Sequence, residues 1–110
     1  MAGKKILTVC SANVNRSTTA AFLLKLTNHK NEVWSRGSNQ VACRIHGGTF
    51  CLQEDVTEAD EIICMEQRNR KELLKLYGSS IENKIKVLGI KDEFKAFTSD
   101  LVMEIFTKLH

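Results

Sequence analysis

Three side chains near the start of the chain have the types and spacing to do chemistry together. Cys10 closes the short apolar run Lys5-Ile-Leu-Thr-Val9, and Arg16 and Ser17 follow after five intervening residues. A loop that leaves a buried strand and enters a helix turns successive N–H groups into its concavity, and the helix end adds partial positive charge. Such a nest fits a phosphate dianion. The planar fork of Arg16 can bind two phosphate oxygens at once, as a lysine could not. The same field favours the anionic form of Cys10 without a histidine base, so the nucleophile and the anion site coincide. Ser11, Ala12, Asn13, Val14 and Asn15 form the cradle. Ser17 is placed to hydrogen-bond the sulfur and ease its departure, and Asn13 to hold the loop. The plainer alternative is a buried structural cysteine followed by a surface arginine.

The elements that must position this loop are readable from hydrophobic periodicity. Lys5 to Val9 reads as a short strand buried on both faces, and the spacing of Ala20, Ala21, Leu23, Leu24 and Leu26 predicts a helix opening at Ser17. Glu32 to Gly37, Glu61 to Met65 and Lys84 to Ile90 read as three further strands. Helices are expected over Val41 to Leu52, despite Gly47-Gly48, and over Arg68 to Tyr77 with Leu73, Leu74, Leu76 and Tyr77 on the buried side. A last helix carries Leu101, Val102, Ile105, Phe106 and Leu109 on one face, with Ser99 as N-cap. This alternation predicts an α/β fold, a three-layer α/β/α sandwich around a four-stranded parallel sheet with ligands beyond the carboxyl ends of the strands. Cys10 lies at one of those ends.

Composition narrows the function. The chain of 110 residues reads as a single domain, with 43% hydrophobic and 26% charged residues and a formal charge of +3. Basic and acidic residues are interspersed, which gives no support to nucleic-acid binding. The apolar run before Cys10 is too short for a signal core or a membrane span, so no membrane association and a cytoplasmic location are expected. Cys10, Cys43, Cys51 and Cys64 are then expected as free thiols. Neither their spacing nor that of His29, His46 and His110 suits a metal, and no metal or other cofactor is expected.

The stretch Val9-Cys10-Ser11-Ala12-Asn13-Val14-Asn15-Arg16-Ser17-Thr18 resembles the signature V-C-x-G-N-x-C-R-S-P of the low-molecular-weight protein tyrosine phosphatases. Ala12 stands at the family's glycine, a change that strains the loop if φ is positive there. Asn15 and Thr18 replace its second cysteine and its proline. Trp34-Ser35-Arg36-Gly37 stands where that family has S-A-G, and Ala59 to Glu66 resembles its A-D-x-I-x-x-M strand, in the manner of a short, compact branch. The resemblance implies a phosphocysteine intermediate on Cys10 and a phosphatase acting on a phosphotyrosine protein or a small aryl phosphomonoester. It also implies a general acid at Asp92 and a substrate-flanking aromatic at Phe94, in Lys91-Asp92-Glu93-Phe94, where the family has Asp-Pro-aromatic. Glu93 and Asp100 are the alternative acids, Asp100 fitting equally a carboxylate in the first turn of the last helix.

Three other functions share parts of this pattern. A phosphocysteine IIB subunit of a sugar phosphotransferase system has a similar Lys4 to Ala12 opening, but has no need of an arginine at the position of Arg16. An arsenate reductase would pass a disulfide outward through Cys43 and Cys51, which flank the Gly pair; two unpaired thiols in a helix are the simpler reading. A phosphate-binding module that has lost turnover is the third. Trp34 is read as packing or as a substrate flank, and Arg36 as a pocket rim or a plain surface residue.

Overall fold

The computed structural model describes residues 3–13, 16–27, 30–90 and 98–109. Four strands, β1 (Lys5–Cys10), β2 (Glu32–Gly37), β3 (Glu61–Cys64) and β4 (Ile85–Val87), form one sheet in the order β2-β1-β3-β4. Every neighbouring pair is parallel, with Cys10 opposite Gly37 and Val9 opposite Cys64. The helices are α1 (Arg16–Thr27), α2 (Gln40–His46), α3 (Gln53–Glu58), α4 (Gln67–Tyr77) and α5 (Ser99–Leu109), with a 3₁₀ turn over Ser79–Lys84.

Alternation along β1 divides the interior into two apolar layers. Ile6 and Cys10 face α1 and α5, packing with Ala20, Ala21, Ile63, Leu101 and Ile105. Leu7 and Val9 face α3 and α4, packing with Val56, Ile62, Cys64 and Leu73. The expected three-layer α/β/α arrangement is therefore present. Because both faces are covered, the central strands β1 and β3 carry near-continuous apolar runs instead of alternating ones.

Four details differ from the sequence reading. The helix expected over residues 41–52 stops at His46, because Gly47 takes the left-handed C-cap (φ 77°) and the chain then runs extended to bridge Phe50 with Gly37. A separate helix, α3, follows, its first turn closed by Asp55, which accepts the Leu52 N–H (2.9 Å). The cap of α5 is Thr98, whose Oγ1 accepts the Leu101 N–H (3.4 Å), while Ser99 is already helical. Regular β4 ends at Val87, although the Leu88 and Ile90 N–H groups still bond the Cys64 and Met65 carbonyls (2.9 and 2.7 Å).

The fourth difference is Leu76, which is 51% exposed, whereas Leu73 on the preceding turn is fully buried. The buried face of α4 is thus narrower than its leucine content suggests, with Leu74 and Tyr77 only flanking it. Leu73→Ala is expected to lower unfolding stability by roughly 2–5 kcal/mol and Leu76→Ala by less than about 0.5 kcal/mol. Equal midpoint shifts in urea denaturation would contradict this orientation of α4.

Candidate active site

All four strands deliver residues to one place at the carboxyl edge of the sheet. Cys10 is the last residue of β1 and is 2% exposed. Its Sγ lies 3.0 Å from Ser17 Oγ and accepts the Asn13 N–H at 3.2 Å. Ser17 Oγ also donates to Asn13 Oδ1 (2.8 Å), so sulfur, hydroxyl and amide form one closed network. Thr8 Oγ1 donates to the Ser17 carbonyl (2.7 Å), fastening the first turn of α1 to the strand beneath it.

Among the described loop residues Asn13 is left-handed (φ 58°), and Ala12 does not carry a positive φ. The strain expected at Ala12 is therefore absent: asparagine tolerates this region far better than alanine does, and here its side chain is also bonded. Ser11, Ala12, Asn13 and Ser17 are among the described residues; Val14 and Asn15, the remaining expected cradle residues, lie outside them.

Close backbone approaches hold the loop from the side. The Ser38 and Asn39 N–H groups donate to the Cys10 and Ser11 carbonyls (2.9 and 3.1 Å). A Cβ on Gly48 would sit 1.7 Å from the Ala12 carbonyl oxygen, and one on Gly37 2.2 Å from Cys43 Sγ, so both approaches require glycine. Gly48→Ala is expected to displace the Ala12 peptide and weaken binding of inorganic phosphate by about tenfold, at roughly 1–3 kcal/mol of stability. Gly47, whose Cβ would meet open space, provides the contrast. Gly47→Ala strains a positive φ at about 1 kcal/mol and leaves phosphate affinity alone. Phosphate titration by calorimetry separates the two, and equal affinities would refute the loop contact.

Arg16 is 1% exposed, so its charge must be answered inside the protein. Its Nη1 donates to Glu66 Oε1, directly beyond β3, and to the Ile90 carbonyl (2.9 Å) beyond β4. The same Glu66 oxygen lies 3.4 Å from Arg68 Nη2. Arg68 Nη2 donates to Ser11 Oγ (3.1 Å), and Asn69 Nδ2 donates to Ser11 Oγ (3.2 Å) and to Ser38 Oγ (3.1 Å). Ser38 Oγ in turn donates to Glu72 (2.8 Å). Glu66, Arg68, Asn69 and Ser38 are not among the site residues expected from the sequence. A usable signal was their position, since each follows the carboxyl end of a strand, where open parallel sheets hold ligands.

The other candidates fall elsewhere. Asp92, Glu93 and Phe94 lie outside the described residues, and Asp100 is exposed in the first turn of α5. Trp34 Nε1 donates to Asp55 (3.0 Å), and Arg36 Nε pairs with the same carboxylate (3.3 Å), so both tie β2 to α3. Cys43, Cys51 and Cys64 are buried free thiols, like Cys10. Burial pushes the Cys51 and Cys64 thiols up to about 12, with Asp55 adding to the rise at Cys51. Cys43 is also raised, by burial first and then by Cys10 and Glu72. These three thiols stay protonated at neutral pH. Among the described residues no cluster of metal-ligating side chains occurs, and no helix is long and apolar enough to cross a membrane.

No family model and no curated protein sequence matches the chain. Solved structures do. SP-PTP, a low-molecular-weight protein tyrosine phosphatase from Streptococcus pyogenes, superposes with a TM-score of 0.76 at 20% identity, covering 96% of this chain and 87% of that one. The tyrosine phosphatase Wzb from Escherichia coli K30, solved with phosphate, gives 0.73 at 18% identity over 97% and 91%. The YwlE arginine phosphatase from Geobacillus stearothermophilus gives 0.68 at 18% identity over 96% and 90%. The sheet and helices therefore have the fold of the low-molecular-weight protein tyrosine phosphatases.

Proposed function

We propose that this chain, which has the low-molecular-weight tyrosine phosphatase fold, is a cofactor-independent phosphomonoester hydrolase whose substrates are phosphotyrosine proteins or small aryl phosphates. The observation that carries this reading is the Cys10 sulfur held by the Asn13 N–H and the Ser17 hydroxyl in a loop that runs into α1.

In the first step Cys10 Sγ attacks phosphorus, the S–P bond forms, and the bond to the leaving oxygen breaks. Asp92 protonates that oxygen. In the second step Asp92 takes a proton from water, the water oxygen attacks phosphorus, and the S–P bond breaks as the Ser17 hydroxyl turns its proton from Asn13 Oδ1 to the departing sulfur. Phosphate and free enzyme result. Arg16 holds two non-bridging oxygens throughout, its guanidinium plane braced at Nη1 by Glu66 and the Ile90 carbonyl. Asp92 stands two residues beyond Ile90 in the chain, which supports assigning it the acid role, and Phe94 would flank the substrate ring. Glu93 is the nearest alternative acid. The likeness to the YwlE arginine phosphatase makes a guanidine the leaving group to compare with a phenol.

Hydrolysis of p-nitrophenyl phosphate by the purified chain tests the reading. Asp92→Asn is expected to lower kcat by about 10²–10⁴-fold for alkyl or phenyl esters and by less for p-nitrophenyl, whose leaving group needs little protonation. A uniform, small loss across leaving groups would reject Asp92 as the acid, and no turnover by the unmodified chain would reject the enzyme. Faster turnover of phosphoarginine than of phosphotyrosine peptides would redirect the substrate assignment.

A further inference from the structure

We propose that Arg68 forms a second anion subsite at the mouth of the Cys10 loop, selecting phosphoesters that carry a carboxylate beside the phosphorylated group. The inference rests on the phosphatase reading of the loop and extends it to substrate class.

Arg68 lies in the first turn of α4, and its side chain is 58% exposed, in contrast to the buried Arg16. One nitrogen fixes it: Nη2 donates to Ser11 Oγ at 3.1 Å and lies 3.4 Å from Glu66 Oε1. That oxygen also accepts from Arg16 Nη1. Two guanidinium groups thus share one carboxylate oxygen, which leaves one net positive charge at the edge of the loop. Among the described residues Nε and Nη1 of Arg68 have no partner, so single N–H donors on two sides of the guanidinium remain for a ligand.

Support for the loop alone does not account for this arginine. Asn69 Nδ2, fully buried, already donates to the same Ser11 hydroxyl from beneath (3.2 Å). The Glu66 contact of Arg68 is half-exposed, and pairs of that kind contribute little to stability. A half-exposed cation held at Nη2 beside an anion site, with its other N–H donors unpartnered among the described residues, is arranged to recognise charge.

The surface beyond Arg68 has room for a chain. Glu72, Lys75 and Leu76 follow at helical spacing on the same face of α4, and with Ser38 and Phe50 they line a groove of about 300 Å³. Ser38 joins that groove to the loop, because its N–H bonds the Cys10 carbonyl and its Oγ accepts from Asn69. Glu72 is held by Ser38 Oγ, and Lys75 adds a second cation farther along. An extended peptide leaving the loop toward the groove passes Arg68 first.

The test measures dissociation constants of short phosphotyrosine peptides for the Cys10→Ser chain, with Asp, Asn or Lys next to phosphotyrosine on either side. The Asp peptide is expected to bind about fivefold tighter than the Asn peptide on one side, and the Lys peptide weaker still. The Asp preference should shrink as salt rises from about 50 to about 500 mM. In the same background Arg68→Gln, which keeps a donor for Ser11 Oγ, should bring the Asp/Asn ratio to about one, whereas Arg68→Lys keeps most of it. Equal affinities for Asp and Asn peptides, or a ratio that survives Arg68→Gln, overturn the subsite. A uniform loss for all peptides in both variants assigns Arg68 to loop support and also overturns it. Failure of the unmodified chain to hydrolyse p-nitrophenyl phosphate overturns the phosphatase reading and leaves the affinity ratio to decide on Arg68. Absence of binding by every peptide overturns the subsite, and p-nitrophenyl phosphate hydrolysis alone decides the phosphatase reading.

Discussion

Cys10→Ser is expected to reduce hydrolysis of p-nitrophenyl phosphate by on the order of 10⁴-fold or more while leaving affinity for inorganic phosphate within about threefold. The reason is a separation of roles within one loop. In the proposed mechanism backbone N–H groups and Arg16 hold the anion, and the substitution changes none of them. Sulfur alone forms the covalent bond, and a serine hydroxyl surrenders its proton far less readily and has no base to take it. Ser17 and Asn13, both bonded to the sulfur, accept an oxygen in its place without changing partners. Unmodified chain incubated with substrate and quenched in acid should also carry phosphate on one cysteine by mass spectrometry. Residual activity above about 1% in Cys10→Ser would remove the covalent mechanism.

Arg16→Ala is expected to act on both catalysis and folding. Loss of a bidentate clamp on transferring phosphoryl oxygens corresponds to about 10³–10⁵-fold in kcat/KM. The same change strips Glu66 of its buried partner. That carboxylate is 28% exposed and retains Arg68, so the stability loss should be about 2 kcal/mol, below the range for a fully buried pair. Adding Glu66→Gln to Arg16→Ala should restore most of the stability by removing the unanswered charge, and none of the activity. Arg16→Lys preserves the charge but cannot hold two oxygens and the Ile90 carbonyl together, and should lose about 10²-fold or more. Paired chemical denaturation and steady-state kinetics read both effects. Recovery of activity in the double variant would mean that Arg16 matters only for folding.

The parts of this molecule legible in its sequence are those whose partners are close along the chain. Lys5 to Cys10 reads as a buried strand because apolar, β-branched residues in a short run leave few alternatives, and Ser17 onward reads as a helix because its apolar residues recur every three to four positions. Cys10, Asn13 and Ser17 lie at the end of β1, in the loop and in the first turn of α1, so their meeting follows from local geometry. The helix expected over residues 41–52 was misread for a local reason: Gly47 takes a positive φ, and apolar residues on both sides of it mimic a continuous stripe. Leu76 was misread because helical spacing marks a face without saying how much of it is covered.

By itself, then, the sequence determined the order of strands and helices apart from α3, the parallel sheet that such alternation demands, and a cysteine loop ahead of a helix. Tertiary structure decided what surrounds that loop. Glu66 is fifty residues from Arg16 and Ile90 seventy-four, while Arg68 and Asn69 reach Ser11 across fifty-seven and fifty-eight. These contacts exist because the order β2-β1-β3-β4 brings the ends of β3 and β4 beside Cys10. Strand order depends on how both faces of the sheet are covered by helices distant in sequence, a global packing condition that no local pattern of residues encodes.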